Sequence, residues 1–343
     1  MKKHMGHERV KGRSRVMVVL TVMMALLFMA ILLDLHMAHI PLTFEQTING
    51  LLGIGDYETT VVRTINGPRI VMGIIVGAGL ALCGSVMQAL FRNPLASPYI
   101  LGLSSGASFG AALMIVMPIT FLPTLLTVPA SAFAFCFITV FLVYSISNTG
   151  RGMATETLIL AGVAISAMFS AFVSFMTYIS GEKMAGIVYW TMGDIGQYGW
   201  NNIMIVAPLV ALGSIFMLMR ARDLNAMMLG EAQANDLGVN VAHVKKETLI
   251  MTALVTASCI SFVGVIGFVG LVVPHVVRML VGPDNRVLFP MSLIGGAAFL
   301  VFCDYISRSV MPADIIPIGI ITSMVGAPYF IYLLVKRKKE MGW

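Results

Sequence analysis

His36 and His39 stand three residues apart near the end of an apolar run. Imidazoles at that spacing could share a metal ion. No carboxylate or thiolate accompanies them, so polar flank competes with metal site. His275 follows Pro274, where a packing or helix-end role competes with ligation. A phosphate loop of the Walker type is excluded, because no lysine in the chain follows a glycine. No Ser/His/Asp or HExxH pattern points to a membrane enzyme. The four cysteines, Cys83, Cys136, Cys259 and Cys303, all lie within apolar runs and form no CxxC pair. They read as packing residues rather than disulfides or metal ligands. Neither a catalytic residue nor a resident metal is therefore expected. Charges at the ends of apolar runs carry the stronger signal. Arg69 opens one run and Arg308 closes another. Asp304, one helical turn earlier, can neutralise Arg308; the other reading is a basic vestibule that receives an anionic solute or its binding protein.

The elements that position these residues follow from composition. Of the 343 residues, 58% are hydrophobic and 11% charged, with a mean hydropathy of +0.91. A soluble domain carries about a quarter charged residues, so the chain reads as an all-α polytopic membrane protein. Its net charge of +6 does not imply nucleic acid. The basic residues cluster in short loops and at the ends, which is the positive-inside distribution. Lys2, Lys3, Arg9, Lys11, Arg13 and Arg15 precede an apolar run long enough to span. The expectation is a retained first span behind a cytoplasmic basic tail at 1–15, in an inner membrane of bacterial or archaeal type.

Taking about 20 apolar residues per crossing, ten spans are expected: Val16–Leu35, Arg69–Leu90, Tyr99–Met117, Leu122–Ile146, Thr155–Ile179, Asn202–Met219, Leu249 to about Val263, an irregular segment ending near Arg278, Val287–Ile306 and Ile316–Val335. The run from Leu249 to Val281 is too long for one crossing, and Gly264, Gly267, Gly270 and Pro274 mark its fold-back. Between the first two spans His36–Pro68 is expected outside, with a short amphipathic stretch at Thr43–Leu52. Ser180–Trp200 is a second outer loop carrying Tyr189, Trp190, Tyr198 and Trp200. Arg151 and residues 220–246 fall inside, as do both termini, including a cytoplasmic tail at 336–343. Gly73/Gly77 and Gly102/Gly106/Gly110 place small residues four apart, as close helix packing in lipid requires.

The longest internal polar interruption is Arg220 to Lys246. Its Ala, Leu, Met, Glu and Gln favour helix, Asn225 could cap a helix start, and Gly230 and Gly238 divide it into two short pieces. Apolar residues set among charges suit a small amphipathic element that docks on a partner; a solvated loop is the alternative.

Four stretches resemble the FecCD family, the permeases of ABC importers for iron chelates, haem and cobalamin: Gly77–Ala111 (GAGLALCGSVMQALFRNPLASPYILGLSSGASFGA), Gly267–Pro290, Asp304–Arg308 (DYISR) and Ile316–Leu334. The polar loop is similar to that family's pattern through Leu229, Gly230, Ala234, Leu237 and Gly238. The resemblance runs from Arg69 onward. It implies a single permease domain over 1–343, of the type II ABC importer fold, pairing with a second permease copy, either identical or related. The loop at 220–246 would rest in a groove of a separate ATPase dimer, which would hold the ATP and magnesium; no cofactor is expected on this chain. A solute-binding protein would dock at the outer rim, near Arg63, Asn66, Arg69 and Arg308. The family's rim reads Arg-x-Pro-Arg; Asn66-Gly67-Pro68-Arg69 keeps only the second arginine. The translocation path would be lined by the second and fifth spans and by the segments at 181–199 and 267–274, with Gly267, Gly270 and Pro274 as points where backbone departs from helix. The implied cargo is a metal chelate, foremost an iron(III)-siderophore, with haem, cobalamin or molybdate as alternatives. An ion-coupled secondary transporter would instead place ionisable groups near the bilayer centre. Asp34, Glu156, Asp194, Asp304 and Asp314 all fall at span ends or in loops. A purely structural membrane protein is the third possibility.

Overall fold

The computed structural model describes residues 2–36, 42–118, 124–148, 154–196, 199–311 and 314–340. In chain order its helices are α1 (Lys2–His36), α2 (Phe44–Leu52), α3 (Asp56–Thr59), a π-helical turn (Thr60–Asn66), α4 (Gly67–Leu90), α5 (Leu103–Val116), α6 (Thr124–Ser147), α7 (Thr155–Ile179), α8 (Met184–Met192), α9 (Trp200–Met219), α10 (Ala221–Met227), α11 (Glu231–Asp236), α12 (Val241–Val263), α13 (Val269–Val281), α14 (Asn285–Ser309) and α15 (Ile318–Glu340). Seven helices are long and apolar enough to cross a membrane, and α5, α13 and the first part of α15 are shorter apolar helices, ten in all among the described residues.

The helix α4 is the axis of the bundle. It is buried along nearly its whole length and packs most extensively against α14. Glycine permits this closeness. A Cβ built on Gly77 would overlap the carbonyl of Gly296 in α14, and one on Gly296 would overlap that of Gly77. A Cβ on Gly84 would overlap the Gly270 carbonyl of α13. With hydrocarbon outside, helices gain by backbone-to-backbone approach of this kind rather than by expelling water. Gly110, from the predicted series in α5, likewise packs on the Ser131 carbonyl of α6.

Several boundaries differ from the sequence-based ones. The basic tail is not separate from the first span: the helix runs unbroken from Lys2, because Lys and Arg are good helix formers outside the bilayer as well. The polar segment expected outside before the second span is mostly helical, and the amphipathic stretch expected there at Thr43–Leu52 is α2 with its N-cap. Its α2 is closed by a capping box in which Gln46 N donates to Thr43 Oγ1 (3.2 Å) and Thr43 N to Gln46 Oε1 (2.9 Å). The π-helical turn then feeds α4 without a break. The second expected outer loop contains α8. The long apolar run folds back where its glycines suggest, with Gly264 at φ 73° and Phe268 at φ 64° ending one helix and opening the next. Pro274, however, lies inside α13 and does not break it. His39, Arg151 and Tyr198 lie outside the described residues.

Candidate functional sites at the two ends of the bundle

At one end, residues 220–240 fold as the pair α10 and α11. Gly230 (φ 137°) and Gly238 (φ 86°) take backbone conformations that L side chains rarely adopt. They stop α10 and α11 respectively, as the sequence suggests. Leu224, Met227 and Ala234 point inward and join the main core. Leu229 and Leu237 point away from it, 69% and 65% exposed. These two apolar side chains are uncovered in the protomer, on the opposite side of the loop from Met227 and Ala234.

Polar bonds hold the pair rigidly on the bundle. Lys245 Nζ lies 2.7 Å from Glu231 Oε1, and Arg220 bridges Asp223 (3.0 Å) and Glu247 (2.6 Å). The sequence suggested Asn225 as a helix cap, but α10 already begins at Ala221. Asn225 instead acts as a bracket: its Nδ2 donates to Asp284 Oδ1 (2.7 Å), and its Oδ1 accepts from the backbone N of Asn285 (2.9 Å). Asp284 also N-caps α14 through Arg286 N, 3.0 Å. The Arg286 guanidinium and this set of donors hold the Asp284 carboxyl down at about 2. A depressed carboxylate stabilises the fold above its unfolded pKa of 3.8 and loses that contribution as pH falls towards about 2. Near neutral pH the bracket is therefore fully formed. Asn225→Ala should remove two hydrogen bonds, costing about 1–3 kcal/mol. The expected result is faster amide exchange across 221–237 with the spans unchanged. Unchanged exchange there would show that α10 is held by packing alone.

At the opposite end three helix termini converge on a buried ion network. Arg69 in the first turn of α4 clasps Asp304 of α14 with two parallel bonds, Nε to Oδ2 at 2.8 Å and Nη2 to Oδ1 at 2.7 Å. Arg308, one turn further along α14, pairs with the Asp34 carboxylate at the end of α1. It also donates to the Asp34 carbonyl and to Asn66 Oδ1, each at 3.1 Å, and lies 3.5 Å from Asp304. Asp194 approaches Arg69 at 3.8 Å from the partly exposed side.

Of the two readings of these charges, neutralisation within the protomer is the one this geometry favours. Arg69 and Arg308 are 7% and 5% exposed, Asn66 1%, and two buried carboxylates neutralise the two guanidiniums. Burial of an arginine in such a site is tolerable only when its charge is matched, and the carboxylates of these helix ends supply that match. Of the four rim residues, Arg63 alone is exposed; its guanidinium donates to the Leu51 carbonyl (2.6 Å). Sequence reasoning saw the Asp304–Arg308 spacing but assigned nothing to Asp34. Its one signal was an acid at the end of the first apolar run.

The predicted path residues divide. Gly267 and Gly270 border a cavity of about 200 Å³ with Leu80, Tyr99, Phe268 and Leu271, whereas Pro274 is buried within α13. The second span, α4, is buried along most of its length within the protomer. The fifth, α7, leaves Leu160, Val163, Phe175 and Tyr178 uncovered in the protomer.

Ten apolar helices, an ion-paired end and a two-helix element with outward leucines define a multi-span, all-α membrane protein. The chain belongs to the FecCD transport family, whose model matches residues 26–336. It is 43% identical over 286 residues to a cobalamin import system permease of Halobacterium salinarum, covering 83% of this chain and 76% of that one. It is 36% identical over 333 residues to a hemin transport system permease of Yersinia pestis, covering 96% and 98%. Its fold is similar to a solved inward-facing transporter described as of the metal-chelate ABC type, with a TM-score of 0.83 and 34% identity over 93% of this chain and 99% of that one.

Proposed function

We propose that the chain is the membrane-spanning permease subunit of an ATP-driven ABC importer that carries a metal chelate across the inner membrane. The carrying observation is the α10–α11 pair, which holds two exposed leucines clear of the bundle in a member of a transport family. In this reading the pair is the cytoplasmic coupling element, both termini are cytoplasmic, and a separate ATPase dimer binds Leu229 and Leu237 and holds the ATP. The chain is then not itself an enzyme. A second permease copy, identical or related, completes the pore against faces such as that of α7. A solute-binding protein delivers cargo at the Arg308 end, where Arg63 rather than Arg69 offers exposed positive charge. ATP-driven closure of the ATPase dimer would push the projection and tilt the bundle between outward and inward access. Iron(III)-siderophore is the foremost cargo of this reading, with haem, cobalamin and molybdate, each named for a relative, as the alternatives.

The test is uptake into vesicles that contain the permease, its ATPase and its binding protein, comparing these labelled cargoes with and without ATP. The expected result is ATP-dependent accumulation of one of them. Accumulation driven by an ion gradient alone would overturn the reading.

A further inference from the structure

On the flank of the protomer a groove of about 420 Å³ opens between α1, α13 and α14. Its walls are hydrocarbon side chains, among them Met23, Ala30, Val273, Val277, Phe299 and Phe302. Gly295 forms part of its floor: a Cβ there would stand 2.6 Å from Met23 Cε and 3.2 Å from Val273 Cγ1. Gly295 thus lets Met23 and Val273 close against α14 at the base of the groove. An apolar cleft of this size holds no ordered water, and the helices that form it lie in the bilayer. The α1 wall runs from Met23 to Leu33, roughly 15 Å at 1.5 Å per residue. That is about the depth of one leaflet of a ~30 Å hydrocarbon core.

The end of the groove at Leu280 is charged. Arg15 Nη2 donates to the carbonyl of Met279, the residue before Leu280, at 3.2 Å. The Arg15 side chain meets no carboxylate among the described residues, in contrast to Arg69, Arg220, Arg286 and Arg308. Among the described residues its remaining N–H donors meet no acceptor and can take an anion. Met279 and Leu280 also lie just ahead of Asp284, the residue that brackets α10 through Asn225. The charged mouth thus faces the leaflet beside the α10–α11 projection.

We propose that this groove is a binding site for one anionic phospholipid, with an acyl chain along α1, α13 and α14 and its phosphate on Arg15. The site welds α1, which otherwise exposes most of its length to lipid, to the helix that leads into the Asp284 bracket. The inference needs only the membrane setting and stands apart from the choice of cargo.

The test uses the full-length protein in bilayers of phosphatidylcholine containing a minor fraction of phosphatidylglycerol, read by native mass spectrometry after detergent release. Wild type should retain phosphatidylglycerol in preference to phosphatidylcholine. Arg15→Gln should lower that preference about fivefold, the effect of roughly 1 kcal/mol per basic residue at an anionic surface. Ala298→Trp, which fills the groove, should lower retention of both lipids; Ala298→Leu serves if the larger residue prevents folding. A diazirine on the acyl chain should label α1, α13 and α14 near Met23, Val277 and Phe299. Equal retention of both lipids by wild type, or labelling spread evenly over the spans, would overturn the site.

Discussion

Asp304→Asn is expected to destabilise the protein more than any other single change at the Arg308 end. The carboxylate accepts both bonds of the Arg69 fork and lies 3.5 Å from Arg308, at 1% exposure. Neutralising it leaves one surplus positive charge inside the network, with Asp194 at 3.8 Å as the nearest replacement partner for Arg69. Removing one member of a buried pair costs about 3–5 kcal/mol, because the other stays buried and unmatched. Thermal unfolding in detergent, followed by size-exclusion, should show a large loss of the folded peak. Combining Asp304→Asn with Arg69→Gln should recover part of it, since both charges then leave together. A melting temperature within a degree of wild type for the single variant would refute the lock. The same experiment separates two roles for Arg69. An exposed docking cation would tolerate Arg69→Gln and lose only affinity for the binding protein; the buried clasp predicts loss of fold first.

The second large effect concerns assembly rather than folding. Leu229→Glu combined with Leu237→Glu should leave a permease that folds and purifies normally but no longer holds its ATPase. Both side chains are mostly exposed in the protomer, so charge there costs little in the isolated chain. Burial of each against a partner contributes about 1.5–3 kcal/mol, and together that is a factor of roughly 10² to 10⁴ in dissociation constant. Co-purification with the ATPase reads it out directly; a complex retained at wild-type yield would remove the projection from the coupling role. The other three residues of the set would mislead as probes. Ala234 is fully buried, and Gly230 and Gly238 hold positive φ. A charged or bulky residue at any of them disturbs the projection itself before it touches a partner.

Sequence alone established what depends on local pattern. Runs of apolar residues, the bias of Lys and Arg, and glycines at breaks are properties of neighbouring positions, so spans such as Thr155–Ile179 and the division at Gly230 emerged at their observed places. The outward leucines came from the resemblance to a family pattern; the amphipathic pattern alone did not tell Leu237 from Ala234, which is buried. Only tertiary structure decided the fate of the charges. Arg69 and Asp304 are 235 residues apart, Asp34 and Arg308 274 apart, and no periodicity links positions so distant. Whether an arginine at a span end faces water or lies buried depends on which other helix ends arrive beside it. The same holds for Asn225, whose partner lies in the turn before α14, and for the groove, which exists only where α1, α13 and α14 meet. Charge neutralisation and packing are pairwise in space, and the sequence orders residues along one dimension only.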